Sequence, residues 1–333
     1  MIEENGAVSS AERHDAAIAR LLAFFRARTG RWVTPTGEAW QPALAIEAVI
    51  DTYERTGAPH YRRVVERSFA RYRGRRSRFH DDDGWYLNAW LRAGEVTGEA
   101  AFLDEARSLF ADMTRGWDDT CGGGLWWRKD RVYKNAITNE LFLLGSARLH
   151  RVAPRDDVYL DWALRAWRWF SASGMINASH QVNDGLDGSC ANNGGPVWTY
   201  NQGVVLDGLA ELSRVTGDEA YLEEARRIAD AALRASVDPD GILREPCEDL
   251  GCDGDQQIFK GVFARGLAGL HGACGEPAYA AFLRANADAV WDRARDASAG
   301  VGLAWRGPAG AVTAATQAAA CLLLGAVARL DAP

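Results

Sequence analysis

Lysine is scarce in this chain: only Lys129, Lys134 and Lys260 occur among 38 basic residues, against 45 acids, for a formal net charge of −7. Gripping phosphates needs a concentrated basic face. The densest basic run, Arg71 to Arg78, is short enough to be a solvated turn, so nucleic acid is excluded as a partner. No apolar stretch reaches the roughly 20 residues that span a bilayer. The first residues, Met1 to Gly6, lack the basic start and apolar run of a secretory signal, which sets the expectation of a cytoplasmic protein.

Other absences narrow the chemistry. No cysteine pair has CxxC spacing and no histidine follows at finger distance, so no metal is expected. The six cysteines (121, 190, 247, 252, 274 and 321) are expected as reduced thiols, with Cys247 and Cys252 close enough in a loop for a small disulfide if the protein were exported. There is no GxSxG elbow, no GxGxxG after a strand and no Walker sequence, which leaves no support for a serine triad or a nucleotide cofactor. The run Asp81-Asp82-Asp83 has Trp85 where the DDxxD metal motif needs its last aspartate. No Pro/Ser-rich or single-charge block divides the chain, so residues 1–333 are expected to form one domain behind a flexible N-terminus of about 12 residues.

What is present is apolar periodicity of about 3.6, as in Ala225, Ile228, Ala229, Ala232 and Leu233. It predicts twelve helices, at about 11–28, 41–56, 59–72, 83–97, 99–114, 135–150, 156–172, 198–216, 218–236, 256–272, 277–296 and 312–330, with almost no strand. Tight turns recur at Arg55-Thr56-Gly57, Val96-Thr97-Gly98 and Val215-Thr216-Gly217, each with a glycine suited to a left-handed helix stop. The starts that follow resemble one another: Pro59-His60-Tyr61, Ala100-Ala101-Phe102, Glu219-Ala220-Tyr221 and Pro277-Ala278-Tyr279. Between these hairpins lie long segments rich in Gly, Asn, Asp and Trp, about 73–82, 115–134, 173–197, 237–255 and 297–311. A hairpin repeat near 40 residues, with tight turns at one end and long loops at the other, predicts an all-α (α/α)6 barrel. Six inner helices would then direct their N-termini at one long-loop face, where functional loops and positive helix ends meet.

The run His80-Asp81-Asp82-Asp83-Gly84-Trp85-Tyr86 stands where a long loop enters an inner helix. Aspartate at a helix start is ordinary capping chemistry. Neighbouring carboxylates also raise each other's pKa, so that one stays protonated while the other is ionised. Adjacent positions suit carboxyl groups about 5–5.5 Å apart, the spacing of retaining glycoside hydrolysis. The chain also has 13 Trp, several in the same loops as Asn, Asp and Gln, a combination that stacks on sugar rings and bonds their hydroxyls.

Several segments resemble glycoside hydrolase family 76, the endo-α-1,6-mannanases: His80 to Trp85, Gly116 to Trp127, Tyr133 to Glu140, Asn192 to Gly195, Trp198 to Gly203 and Asp255 to Gly261. The likeness runs in one order from about residue 15 to 330. It implies a cofactor-free, retaining cut of α-1,6-mannoside bonds, with Asp81 as nucleophile and Asp82 as acid/base. Substrate contacts are expected from His80, Trp126, Trp127, Asn139, Tyr200, Asn201, Gln202, Asp255, Gln256 and Lys260. The second acidic pair, Asp118-Asp119, precedes a Gly-rich loop and is assigned to loop structure or substrate contact. The partner implied is α-1,6-linked mannan or its oligosaccharides. Three other readings stay open at this point: a sugar epimerase working through His80 and His180, a transglycosylase, and a mannan-binding protein without catalysis.

Overall fold

A computed structural model describes residues 8–332; of the N-terminal segment expected to be flexible, residues 1–7 lie outside that range. Ser9 accepts the backbone N–H of Glu12, whose carboxylate returns a bond to the Ser9 N–H, and this capping box starts the first helix at residue 10, inside the segment expected to be flexible.

Twelve α-helices are formed among the described residues: α1 (Ser10–Leu22), α2 (Gln41–Thr56), α3 (Pro59–Tyr72), α4 (His80–Thr97), α5 (Ala100–Met113), α6 (Ala136–Val152), α7 (Asp157–Ala172), α8 (Thr199–Thr216), α9 (Ala220–Ala235), α10 (Phe259–Cys274), α11 (Pro277–Ala289) and α12 (Ala314–Leu330). The even-numbered helices are the inner ring. Neighbours pack in the cycle α2, α4, α6, α8, α10, α12 and back to α2, so the ring closes. Their sequences explain the position: α6 buries every residue from Ala136 to His150, and α12 every residue from Ala314 to Ala328. The outer helices are amphipathic, and α9 buries only Ala225, Ile228, Ala229, Ala231 and Ala232. The result is the expected (α/α)6 barrel.

Five hairpins follow chain order, and the sixth pair joins the two ends of the chain, with α1 packed on α12. Gly57, Gly98, Gly217 and Gly275 each end an inner helix at φ between 65° and 75°, donating their N–H to the carbonyl four residues back. That places all tight turns on one face and all long connections on the other.

Several helix boundaries differ from the sequence expectation: α10 starts at Phe259 after a 3-10 turn over Gln256–Ile258 rather than at 256, and α11 ends at Ala289, followed by a π turn over Val290–Ala294, rather than at 296. α1 stops at Leu22 because Phe25–Arg26 (β1) pairs antiparallel with Arg31–Trp32 (β2), and Trp32 is sealed in the core with its indole N–H bonded to Ser68. α4 starts at His80 rather than 83, because the extended Phe79 bridges to Arg128 and the His80 N–H bonds the Trp127 carbonyl at 2.8 Å. The acidic run therefore lies inside the first helical turn.

At the tight-turn end, the barrel is closed by ion pairs. Asp51, buried in α2, meets Arg92 of α4 (3.4 Å), Arg265 of α10 (3.1 Å) and Arg329 of α12 (3.0 Å). Arg148 of α6 pairs with Asp207 of α8 at 2.6 Å. Arg329, in the last turn of α12, also opposes the negative end of that helix's dipole.

The cysteines depart from the expectation of reduced thiols. Cys121 is bonded to Cys190, 69 residues away, as well as Cys247 to Cys252; Cys274 and Cys321 are free. Spacing along the chain carried no sign of the first bond, since only folding brings the α5–α6 and α7–α8 connections side by side.

Candidate active site

The long-loop face holds a cleft of about 430 Å³ above the first turn of α4, lined by Asp81, Asp82 and Trp85. Phe79, Trp127, Tyr133 and Asn135 form one side; Asp184, Trp198, Tyr200 and Phe259 another; and Thr36, Ala39, Trp40, Asp253, Asp255 and Gln256 the third. Its walls are aromatic. Tyr200 stacks on Phe259 with centroids 3.8 Å apart, Trp40 on Trp85 at 5.4 Å, and Phe79 meets Trp127 at 4.7 Å.

Successive helical residues point about 100° apart, which separates the three aspartates. Asp81 and Asp82 line the cleft floor, whereas Asp83 is buried away from the cleft, accepting the Ser77 N–H at 2.9 Å and pairing with Lys129 at 2.8 Å. Asp81 Oδ2 accepts the Trp127 indole N–H at 3.0 Å. Asp82 Oδ2 accepts the Ser77 hydroxyl at 2.7 Å. Burial pushes both carboxyls up, Asp82 to about 6, and the neighbouring Asp82 charge pushes Asp81 up further, to well above the usual carboxylate range. The two titrate as a pair that holds one proton and one charge near neutral pH.

Around the dyad, other carboxylates are fixed by donors. Asp184 accepts the Tyr133 hydroxyl at 2.6 Å, and that hydroxyl in turn accepts from the Asn193 amide at 2.8 Å. Asp255 accepts the Trp40 indole N–H at 2.7 Å. Burial raises both carboxyls, and the donated hydrogen bonds hold them back. Such a site can exchange protons through one carboxyl, attack with the other, stack on sugar faces and bond several hydroxyls.

Of the residues picked from sequence, Asp81, Asp82, Trp127, Tyr200, Asp255 and Gln256 meet in this cleft. The rest lie elsewhere. Asn139 accepts the Leu125 N–H at 2.7 Å, and Gln202 the Val182 N–H at 2.9 Å; both are buried and tie a loop to an inner helix below the floor. Lys260 is buried against Glu248 (2.6 Å) and the Leu303 carbonyl (2.6 Å). Asn201 is fully buried, and neither its amide nitrogen nor its amide oxygen has a hydrogen-bond partner among the described residues. Trp126 turns away from the cleft, its indole N–H on Asp118 at 2.7 Å. His80 is 3% exposed, packed over Gly116, and held down to about 4 by burial and then Lys129, so it is neutral. His180 lies 3.7 Å from Glu224, and among the described residues no histidine lines the cleft, which removes the paired histidines that an epimerase of this fold would need.

Trp40, Asp184 and Asn135 were not chosen from sequence. Asp184 lies in a loop whose Asn and Asp residues mostly bond their own backbone, as Asp187 and Asn193 do, and nothing in that composition distinguishes the one that faces the cleft.

A closed helical double ring with paired carboxyls beneath an aromatic-walled cleft is an architecture of the glycoside hydrolase class. The sequence profile of Glycosyl hydrolase family 76 matches residues 9–328, and the chain belongs to that family. Among curated relatives, it is 34% identical to the mannan endo-1,6-alpha-mannosidase DCW1 of Saccharomyces cerevisiae over 205 residues, covering 56% of this chain and 45% of that protein. It is 31% identical to the mannan endo-1,6-alpha-mannosidase DFG5 of Candida albicans over 204 residues, with the same shares of 56% and 45%. The chain thus spans about half the length of the curated relatives it matches. Among solved structures, it is similar to an inactive variant of the alpha-1,6-mannanase GH76A of Salegentibacter sp. HEL1_6 in complex with alpha-1,6-mannotriose, at a TM-score of 0.87 and 22% identity, covering 97% of this chain and all of that one.

Proposed function

We propose that the protein is a retaining, endo-acting glycoside hydrolase that cuts α-1,6-mannosidic bonds in mannan or mannooligosaccharides. The observation that carries this reading is the placement of Asp81 and Asp82 side by side on the floor of the cleft, in the first turn of α4. Family membership supports it, as do the names of the curated relatives and the solved neighbour, whose inactive form has two adjacent aspartates changed to asparagine.

In the first step, the Asp81 carboxylate attacks the anomeric carbon, the bond to the glycosidic oxygen breaks, and Asp82 gives that oxygen its proton. In the second, Asp82 takes a proton from water, the water oxygen attacks the same carbon, and Asp81 leaves with its electron pair. The Trp127 N–H on Asp81 favours the ionised form required of a nucleophile. The stronger upward push falls on Asp81, opposite to that assignment. Substitutions at the two positions test the order.

The aromatic pairs supply faces for pyranose stacking, while Asp184 and Asp255 are oriented acceptors for hydroxyl groups. The Cys121–Cys190 and Cys247–Cys252 bonds favour work in an oxidising compartment over the cytoplasm expected from sequence. The test is incubation of the protein and its Asp81→Asn variant with unbranched α-1,6-mannan, following products by size and by anomeric form. Short α-anomeric products from the unaltered protein alone are expected. Products of β configuration would refute retention, and equal turnover by the variant would refute the nucleophile.

A further inference from the structure

The Gly-rich segment between α5 and α6 is built around a buried ammonium. Lys134 Nζ, on a side chain 1% exposed, shares its three protons among Asp118 Oδ1 at 2.9 Å and the carbonyls of Thr120 (2.7 Å), Gly123 (2.6 Å) and Gly124 (3.0 Å), with the Asp118 carbonyl at 3.4 Å. It lies 4.8 Å from the centre of the Trp126 ring, whose indole N–H bonds the second Asp118 oxygen at 2.7 Å. This set of oxygens resembles the coordination of an alkali cation more than an ordinary ion pair.

The loop pays for the arrangement in backbone conformation. Cys121, Gly122, Gly123 and Gly124 all have positive φ, at 57°, 75°, 140° and 87°. A Cβ on Gly124 would lie 2.4 Å from Trp169 and one on Gly123 2.8 Å, so both glycines are needed for the turn and for the indole against it. Of these four residues, Gly123 and Gly124 give their carbonyls to Lys134, and Cys121 gives its carbonyl to the Trp169 indole N–H at 2.9 Å, so the strained turn is held by buried donors.

Lys134 is also the residue between Tyr133 and Asn135, both in the cleft wall. Its own carbonyl accepts the Leu186 N–H at 3.0 Å, and the Tyr133 carbonyl accepts the Trp127 N–H at 2.7 Å. We propose that Lys134 is a positioning residue for the reaction: its ammonium acts as an internal cation that folds residues 118–124 around itself and thereby fixes Tyr133, Asn135 and Trp127 in the sugar-binding wall. The inference rests on the glycosidase reading above for its kinetic readout, and on the cage alone for its chemical one.

Lys134→Ala removes three carbons and the ammonium, which together make n-propylammonium, so the variant is assayed with and without that amine. KM for α-1,6-mannooligosaccharides rises about tenfold or more while kcat falls less than about threefold, the split expected when binding is loosened and the chemistry is left in place. n-Propylammonium chloride restores KM with saturation, and choline chloride at the same ionic strength does not. If Lys134→Ala fails to fold, Asp118→Asn carries the same KM test, because it keeps the lysine and removes the cage's one charged oxygen. The labelling arm needs no substrate: under native acetylation Lys134 stays unmodified while Lys129 reacts, and Asp118→Asn exposes Lys134. Wild-type KM in the folded variant, or acetylation of Lys134 as fast as Lys129 in the unaltered protein, overturns the proposal. Failure of the unaltered protein to cut mannan would instead count against the glycosidase reading, with the labelling result still deciding the cage.

Discussion

The indole N–H of Trp127 reaches Asp81 Oδ2 at 3.0 Å, joining the loop that forms one wall of the cleft to the first carboxylate on its floor. The same loop residue offers its carbonyl to the His80 N–H at 2.8 Å, so it sets where α4 begins as well as the charge state of what α4 presents.

Replacing Trp127 by Phe keeps a ring in the wall and removes that donor. A hydrogen bond to an ionised carboxylate lowers its pKa, so its loss raises the value of the pair. The acid limb of kcat/KM reports the carboxyl that must be ionised, which burial and the Asp82 charge push above the ordinary carboxylate range, and in Trp127→Phe it is expected to move further upward. A pH profile of both proteins checks this; an unmoved limb would separate Trp127 from the dyad.

Asp81→Asn and Asp82→Asn are expected to lower kcat by about a thousandfold or more while leaving the barrel intact. Both carboxyls have folded-state values above those of an unfolded chain, so their ionisation opposes folding; that cost is absent at low pH and full once the pH exceeds the folded values. Each Asn variant should therefore unfold at the same or a higher temperature than the unaltered protein at neutral pH. A lower Tm in thermal unfolding would contradict this.

Asp51 is the opposite case. Burial alone would raise its carboxyl, but Arg265, Arg329 and Arg92 together hold it far below the usual range. Its stabilising contribution is complete above the unfolded value of about 3.9 and is lost only as the pH falls through the strongly acidic folded value. Asp51→Asn leaves three guanidinium groups short of a partner and should cost about 3–5 kcal/mol in urea unfolding at neutral pH. A cost below about 1 kcal/mol would mean that water satisfies the cluster.

Breaking Cys121–Cys190 with a Cys121→Ser, Cys190→Ser double substitution releases a loop closed over 69 residues, which the chain-entropy relation values at about 4 kcal/mol. The Cys247–Cys252 link closes only five, for which the same relation gives about 2 kcal/mol, about half as much. Denaturant midpoints of the two double variants, with and without reductant, give the comparison. Equal losses would show that the long loop is already restrained in the unfolded chain.

The twelve helices, their alternation between inner and outer rings and the glycine stops were determined by local sequence. A helix buried all round, such as α12, and one buried along a single stripe, such as α9, differ in composition residue by residue. The adjacency of Asp81 and Asp82 was equally legible, because neighbours in one helical turn stay neighbours in space. Tertiary structure alone decided the fate of the polar residues around them. Asn139, Gln202 and Lys260 have the chemistry of sugar ligands, yet each had loop backbone to satisfy below the floor, and a buried carbonyl or N–H is a more demanding partner than solvent-exposed substrate. Asp184 and Trp40 reached the cleft because loops from distant parts of the chain fold across its rim, and the Cys121–Cys190 bond formed for the same reason. Periodicity encodes which face of a helix is buried; which long-loop side chain faces the ligand depends on contacts between segments far apart in sequence, and no local pattern carries them.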